Sequence, residues 1–182
     1  MAKHFKSKQF DGKFRWERLH ALLPDVKEFA TVLYVGARPQ RQDHLKLFRI
    51  PECSVDIVEI WKPNVIKMRT MKDLAWIRNI EVGDITKYVP KENYDAVFWW
   101  HGPEHVQSEV MESTLKLIES YTNKIIILGN PWGKYLEHSS EKNPYEQHVS
   151  HYQPEFFEKF GYVVETHGKE GPGSNMIAIK RK

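Results

Sequence analysis

"TVLYVGARPQ", residues 31–40, decides the fold. A β-branched apolar run stops at Gly36 and turns at once into polar residues, as a strand buried on both faces does when it delivers the chain to a ligand-binding loop. Arg38 and Pro39 follow, where loops of this kind usually carry a second glycine.

Four further runs of the same character lie beyond it: "SVDIVEI" (54–60), "NIEVGDI" (79–85), "DAVFWW" (95–100) and "KIIILGN" (124–130). Two helix-patterned segments, "NVIKMRTMKDLAWI" (64–77) and "EHVQSEVMESTLKLIESY" (104–121), separate successive runs. In the second, Val106, Val110, Leu117 and Ile118 can share one helical face. This β/α alternation predicts a three-layer α/β domain with right-handed crossovers. The end of the chain departs from it. "QPEFFEKFG" (153–161) reads as a helix, with Pro154 in its first turn and Gly161 at its stop. Two β-like runs follow, "YVVETHG" (162–168) and "NMIAIKR" (175–181), and the turn-like "KEGPGS" between them is too short for a helical crossover. They are expected to form an antiparallel hairpin.

A length of 182 residues suits one domain, with residues 1–30 as a helical cover segment and 31–182 as the α/β core. Hydrophobic residues at 41% and charged residues at 28% argue for an ordered globular chain rather than a disordered one. The lone cysteine, Cys53, excludes an intramolecular disulfide and fits a reducing compartment. The opening residues carry no apolar signal region, and no run approaches the roughly 18 apolar residues of a membrane span, so a cytoplasmic setting without membrane attachment is expected. A net charge of +3, with its two basic clusters at the ends (Lys3, Lys6 and Lys8; Lys180, Arg181 and Lys182), gives no support to a nucleic-acid partner.

Ligands of open α/β sheets bind beyond the carboxyl ends of the strands, near the point where strand order reverses. The residues just after each run are therefore the candidates: Gly36, Ala37 and Arg38 after the first, Glu59 at the end of the second, Gly83 and Asp84 after the third, Trp100 and His101 after the fourth. Glu59 lies about 20 residues beyond Gly36, the spacing at which a carboxylate can accept hydrogen bonds from both hydroxyls of a ribose. Trp99 and Trp100 must point to opposite faces of their strand, so at most one of them can face a ligand.

The ordered set "VLYVGA", "VDIVEIW", "VGDI", "YDAVFWWHGPEHV", "KIIILGNPWG" and "FFEKFGY" with its closing hairpin resembles the class I S-adenosylmethionine-dependent methyltransferases, particularly the small-molecule type. The resemblance spans residues 31–181. It implies a Rossmann-like, mostly parallel seven-stranded sheet of order 3-2-1-4-5-7-6, S-adenosylmethionine as cofactor, and methyl transfer to a small-molecule acceptor. It also implies that Gly36 and Ala37 bring backbone to the methionine moiety and that Glu59 holds the ribose. Ile60 or Trp61 would pack on the adenine, Asp84 accept from its amino group and Ile85 line the ring, while Trp100 and His101 border the methyl-donor pocket. At Arg38 the sequence departs from the family's G-x-G loop. A guanidinium there can pair with the cofactor's carboxylate or fill the pocket, so a non-catalytic binding or scaffold relative with an impaired donor site is the competing reading.

In-line methyl transfer needs mainly positioning and exclusion of water. The groups suited to remove a proton or orient an acceptor are His101, Glu104 and His148, with His105 and Glu146 beside them. Residues 130–153 form a polar and aromatic loop whose Trp132, Tyr135, Tyr145, His148 and Tyr152 could cover the acceptor. "HGPEH" (101–105) fits an H-x-x-E-H zinc pattern, but a helix beginning at Pro103 leaves His101 outside it, and "HVSH" (148–151) lacks identifiable further ligands. No metal site is expected. A dinucleotide reading fails because "GARPQR" holds one glycine of the three required.

Overall fold

The computed structural model describes residues 3–5, 12–40, 43–133, 143–171 and 173–182. Every apolar run named above forms a strand: β2 (Thr31–Val35), β3 (Ser54–Glu59), β4 (Asn79–Val82), β5 (Tyr94–Trp100), β6 (Thr122–Asn130), β7 (Val163–His167) and β8 (Asn175–Arg181). A further short strand, β1 (Lys3–Phe5), precedes them and pairs in parallel with β7 at the sheet edge. The order is β1-β7-β8-β6-β5-β2-β3-β4. With β1 set aside, this is the 3-2-1-4-5-7-6 sheet that the resemblance implies. Only β8 runs against its neighbours β6 and β7, because its connection to β7 has no room for a crossover.

The central strands are apolar on both sides because both faces are covered. All residues of β5 are buried. Val32 and Tyr34 of β2 point into one core with Leu19, Leu23, Phe48 and Met68. Their neighbours Leu33 and Val35 point into the other, with Met111, Leu115, Ile118 and Phe157. The helices α1 (Gly12–Leu22) and α2 (Lys62–Arg69) supply the first layer, α3 (Ser108–Ser120) and α4 (Pro154–Glu158) the second. Arg18 of α1 donates to both carboxylate oxygens of Glu165 on β7, at 2.6 Å to Oε2. Burial opposes ionisation of Glu165, yet His167 and Arg18 hold its carboxyl down at about 2. The opening segment is thereby tied to the sheet.

One helical expectation is corrected. Pro103–His105 form a single 3-10 turn, Val106 leaves helical geometry at φ −105° and ψ 135°, and α3 begins only at Ser108. From that start the 3.6-residue period turns Met111, Thr114, Leu115 and Ile118 inward and leaves Val110 41% exposed. Thr114 is tolerated inside because its hydroxyl donates to the Val110 carbonyl at 2.8 Å. Between β2 and β3 the described residues form no α-helix, only the 3-10 helix Asp43–Phe48. No helix among the described residues is long and apolar enough to cross a membrane.

Candidate functional site

Strand order reverses between β2 and β5, and a pocket opens there at the carboxyl ends of β2, β3, β4 and β5. Gly36 forms its floor at φ +75°, a conformation that favours glycine, and a Cβ built on it would meet nothing within 4 Å. The turn is thus an open cradle. Gly83 is needed for another reason: a side chain there would come within 2.6 Å of Val58 Cγ2.

Glu59 is 5% exposed and lines the pocket from the end of β3, where its Oε1 accepts from the Trp61 amide at 2.7 Å. Burial pushes its carboxyl up to about 7, against the opposing effects of the Trp61 amide and Arg38. Asp84 faces the same space while its Oδ1 accepts from the Thr86 amide at 3.0 Å and hydroxyl at 2.8 Å, so it caps a turn and lines the pocket at once. Ile60, Ile85 and His101 also line it. Arg38 does too, with its Nη1 3.5 Å from a Glu146 carboxylate oxygen across the mouth. The long loop therefore leans on the first loop through opposite charges.

Ala37 and Trp100 are placed elsewhere. Ala37 is 1% exposed within the core on the α1 side. Trp100 enters that same core, stacked on Phe98 with ring centroids 5.6 Å apart and 5.0 Å from the ring of His44. Its neighbour Trp99, in register with Val35 of β2 and Leu128 of β6, is the tryptophan that reaches the pocket. Strand alternation requires one of the pair, and pairing with β2 selects which. Gly102 lets that ring approach, since a Cβ there would lie 1.7 Å from Trp99 Nε1. Trp61 lies outside the lining, with its ring 6.2 Å from that of Tyr145.

One wall carries a cluster assembled from two distant segments. His101 takes φ +51°, an uncommon backbone state for a non-glycine residue, and its Nδ1 lies 3.3 Å from Glu104 Oε1. His148 Nε2 is 3.9 Å from the same oxygen, and the His148 and His105 rings meet edge to face at 5.0 Å. His105 and His101 face the pocket, while Glu104 and His148 stand buried behind them. Burial disfavours the Glu104 carboxylate, but the adjoining His101 and His105 outweigh it and hold its pKa below the ordinary value. Burial lowers that of His105, which favours its neutral imidazole.

The remaining loop aromatics divide. Tyr145 lines the pocket. Tyr152 is buried with its hydroxyl donating to the Val106 carbonyl at 3.1 Å, and the Trp132 amide donates to Ser174 Oγ at 3.0 Å, so both fasten the loop to the fold. Tyr135 lies outside the described residues. Asn64 and Asn143 also line the pocket, and nothing in their local sequence signals it. Cys53 is not among the pocket-lining residues, and burial pushes its thiol up to about 11, which leaves it an inert thiol.

No protein-family model matches the sequence, and neither does any curated protein. Solved structures do match. The chain is similar to the N-methyltransferase NodS from Bradyrhizobium japonicum WM9, at 13% identity and a TM-score of 0.66 over 94% of this chain and 98% of that one. It is similar to a SAM-dependent methyltransferase from Archaeoglobus fulgidus, at 18% identity and a TM-score of 0.65 over 93% and 94%. DhpI, solved as a complex with SAH, matches at 13% identity and a TM-score of 0.65 over 93% and 86%. The fold is that of the class I S-adenosylmethionine-dependent methyltransferases.

Proposed function

We propose that this chain, built on the class I methyltransferase fold, binds S-adenosylmethionine in the pocket above Gly36 and catalyses methyl transfer to a small-molecule acceptor. The observation that carries the reading is the open left-handed turn at Gly36 sharing one pocket with Glu59 and Asp84 at the reversal of strand order. When bound, the cofactor supplies a sulfonium methyl to in-line attack. Glu59 offers a carboxylate for the ribose hydroxyls, Ile60 and Ile85 give apolar walls for a purine, and Asp84 keeps an acceptor at its edge. Trp99 takes the place expected of Trp100 beside the reacting methyl. Arg38 exchanges its 3.5 Å contact with Glu146 for the cofactor's carboxylate, a better partner for a planar fork. His101 and His105, backed by the buried Glu104 and His148, form the acceptor wall.

The competing reading, a scaffold with its donor pocket closed, draws on the same Arg38–Glu146 contact. Thermal shift and calorimetry with S-adenosylhomocysteine separate the two. Ligand at ~100 times its dissociation constant is expected to add about 2.7 kcal/mol of stability, and no stabilisation favours the scaffold. His148→Ala is expected to lower transfer of labelled methyl into a small-molecule extract by about 100-fold while leaving S-adenosylhomocysteine affinity within about twofold. An unchanged rate removes His148 from the site.

A further inference from the structure

We infer that His101, Glu104, His105 and His148 bind a divalent transition-metal ion on the acceptor wall of the pocket. The metal site stands on its own geometry; its role toward an acceptor rests on the methyltransferase reading.

Ligand atoms of Glu104, His105 and His148 all lie within 4.8 Å of one another. His101 Nδ1 and His148 Nε2 approach one oxygen of Glu104 at 3.3 and 3.9 Å. Metal–ligand bonds of about 2.0–2.2 Å hold neighbouring ligand atoms roughly 3 Å apart, so a contraction of about 1–2 Å brings the set into coordination. Glu104 is 2% exposed, and its second oxygen, Oε2, is buried with no hydrogen-bond partner among the described residues. A carboxylate so enclosed is normally paired, bonded or on a metal. The imidazole of His105 is already oriented for ligation. Its Nδ1 faces the Gln147 carbonyl at 3.0 Å; that oxygen can only accept, so Nδ1 carries the proton and Nε2 presents its lone pair. Ligating histidines are commonly supported in this way. The amides of Val149 and Ser150 both donate to the Glu104 carbonyl, at 2.9 and 3.1 Å, and this clamp sets His148 against the turn that bears Glu104 and His105.

Three imidazoles and one carboxylate suit Zn²⁺, Mn²⁺ or Fe²⁺ better than the all-oxygen preferences of Mg²⁺ or Ca²⁺. Four protein ligands leave a position free on a five- or six-coordinate ion, and because His101 and His105 line the pocket that position opens into it. The acceptor class that fits is a hydroxyl-bearing molecule. Its coordinated oxygen loses a proton to solvent at moderate pH, and as the oxygen–carbon bond forms the sulfur–carbon bond of the donor breaks, leaving a methyl ether and S-adenosylhomocysteine.

The test uses chelator-stripped protein titrated with Co²⁺ and followed by visible absorption. One equivalent is expected to give a d–d band, and Glu104→Gln and His148→Ala are each expected to weaken binding at least tenfold with unchanged circular dichroism. His151→Ala, at an exposed position outside the cluster, is expected to bind as wild type. Absence of Co²⁺ binding, or wild-type affinity in the near-isosteric Glu104→Gln chain, overturns the site. Acetohydroxamate, a bidentate oxygen ligand, is expected to shift the band; an unmoved band overturns the acceptor role. Calorimetry with S-adenosylhomocysteine on the same stripped protein separates the two readings. A protein that binds the nucleoside but takes up no Co²⁺ sinks the metal site alone, and one that takes up Co²⁺ but binds no nucleoside sinks the methyltransferase reading alone.

Discussion

Glu59→Ala is expected to weaken S-adenosylhomocysteine binding by about 100-fold or more. Hydrogen bonds to a charged group contribute about 1.5–3 kcal/mol each, and two ribose hydroxyls on one carboxylate account for a loss of that size. The carboxylate is well set for this, since its Oε1 is steadied by the Trp61 amide at 2.7 Å and the whole side chain is 5% exposed. Isothermal calorimetry reads the outcome, and retained affinity would show that the ribose lies elsewhere.

The same residue makes a second, independent mark on the free protein. Burial raises the Glu59 carboxyl from 4.5 to about 7. The folded state then holds a proton that the unfolded state has released, so stability falls as pH rises from the unfolded value through the folded one. Glu59→Gln removes that loss. The variant is expected to gain on wild type, by up to about 3 kcal/mol, between pH 5 and pH 8 in ligand-free melts, while binding the nucleoside more weakly. A difference in melting temperature that stays flat across this range would contradict the burial cost. Loss of binding coupled to gain of stability is the signature of a site held ready at the expense of the fold.

Arg78→Ala is expected to destabilise the chain by about 3 kcal/mol and lower the melting temperature by about 10 °C. The guanidinium bonds Asp56 Oδ1 at 2.9 Å and Oδ2 at 2.6 Å, and it also pairs with Glu92. Asp56 is 6% exposed on β3 and accepts a further 2.7 Å bond from the Tyr94 hydroxyl of β5. Removing Arg78 strands a buried carboxylate, although the 38% exposure of the Arg78 side chain lets water soften the cost toward the lower end of the range. Adding Asp56→Asn is expected to recover part of the loss, which a purely steric effect of Arg78 would not allow. Asp56 stands near the start of β3 and the pocket lies at its end, so nucleoside affinity should remain near wild type in the cold, and a large loss there would couple the two ends of the sheet.

Most of the sheet is legible in the sequence, because burial on both faces writes itself as continuous apolar runs and a short Gly-Pro turn forbids a crossover. Glu59, Asp84 and Gly36 were legible for a related reason: each ends or closely follows a strand, and the carboxyl ends of parallel strands lie along one edge of the sheet. The edge strand at Lys3–Phe5 was not, since three residues carry too little period to mark them. Helix starts failed at Pro103 because proline is equally at home in a 3-10 turn.

The sequence by itself determined the strands, their order as a family pattern, and the rule that only one of Trp99 and Trp100 could face a ligand. Tertiary structure alone decided which one: registration of Trp99 with Val35 and Leu128 assigns its face. Likewise, "HGPEH" and "HVSH" were each incomplete as local patterns, since neither holds enough donors within reach of one point. The Val149 and Ser150 amides, satisfied by the carbonyl of Glu104, bring the two segments together, and a backbone hydrogen bond carries no side-chain signature from which its partner could be read.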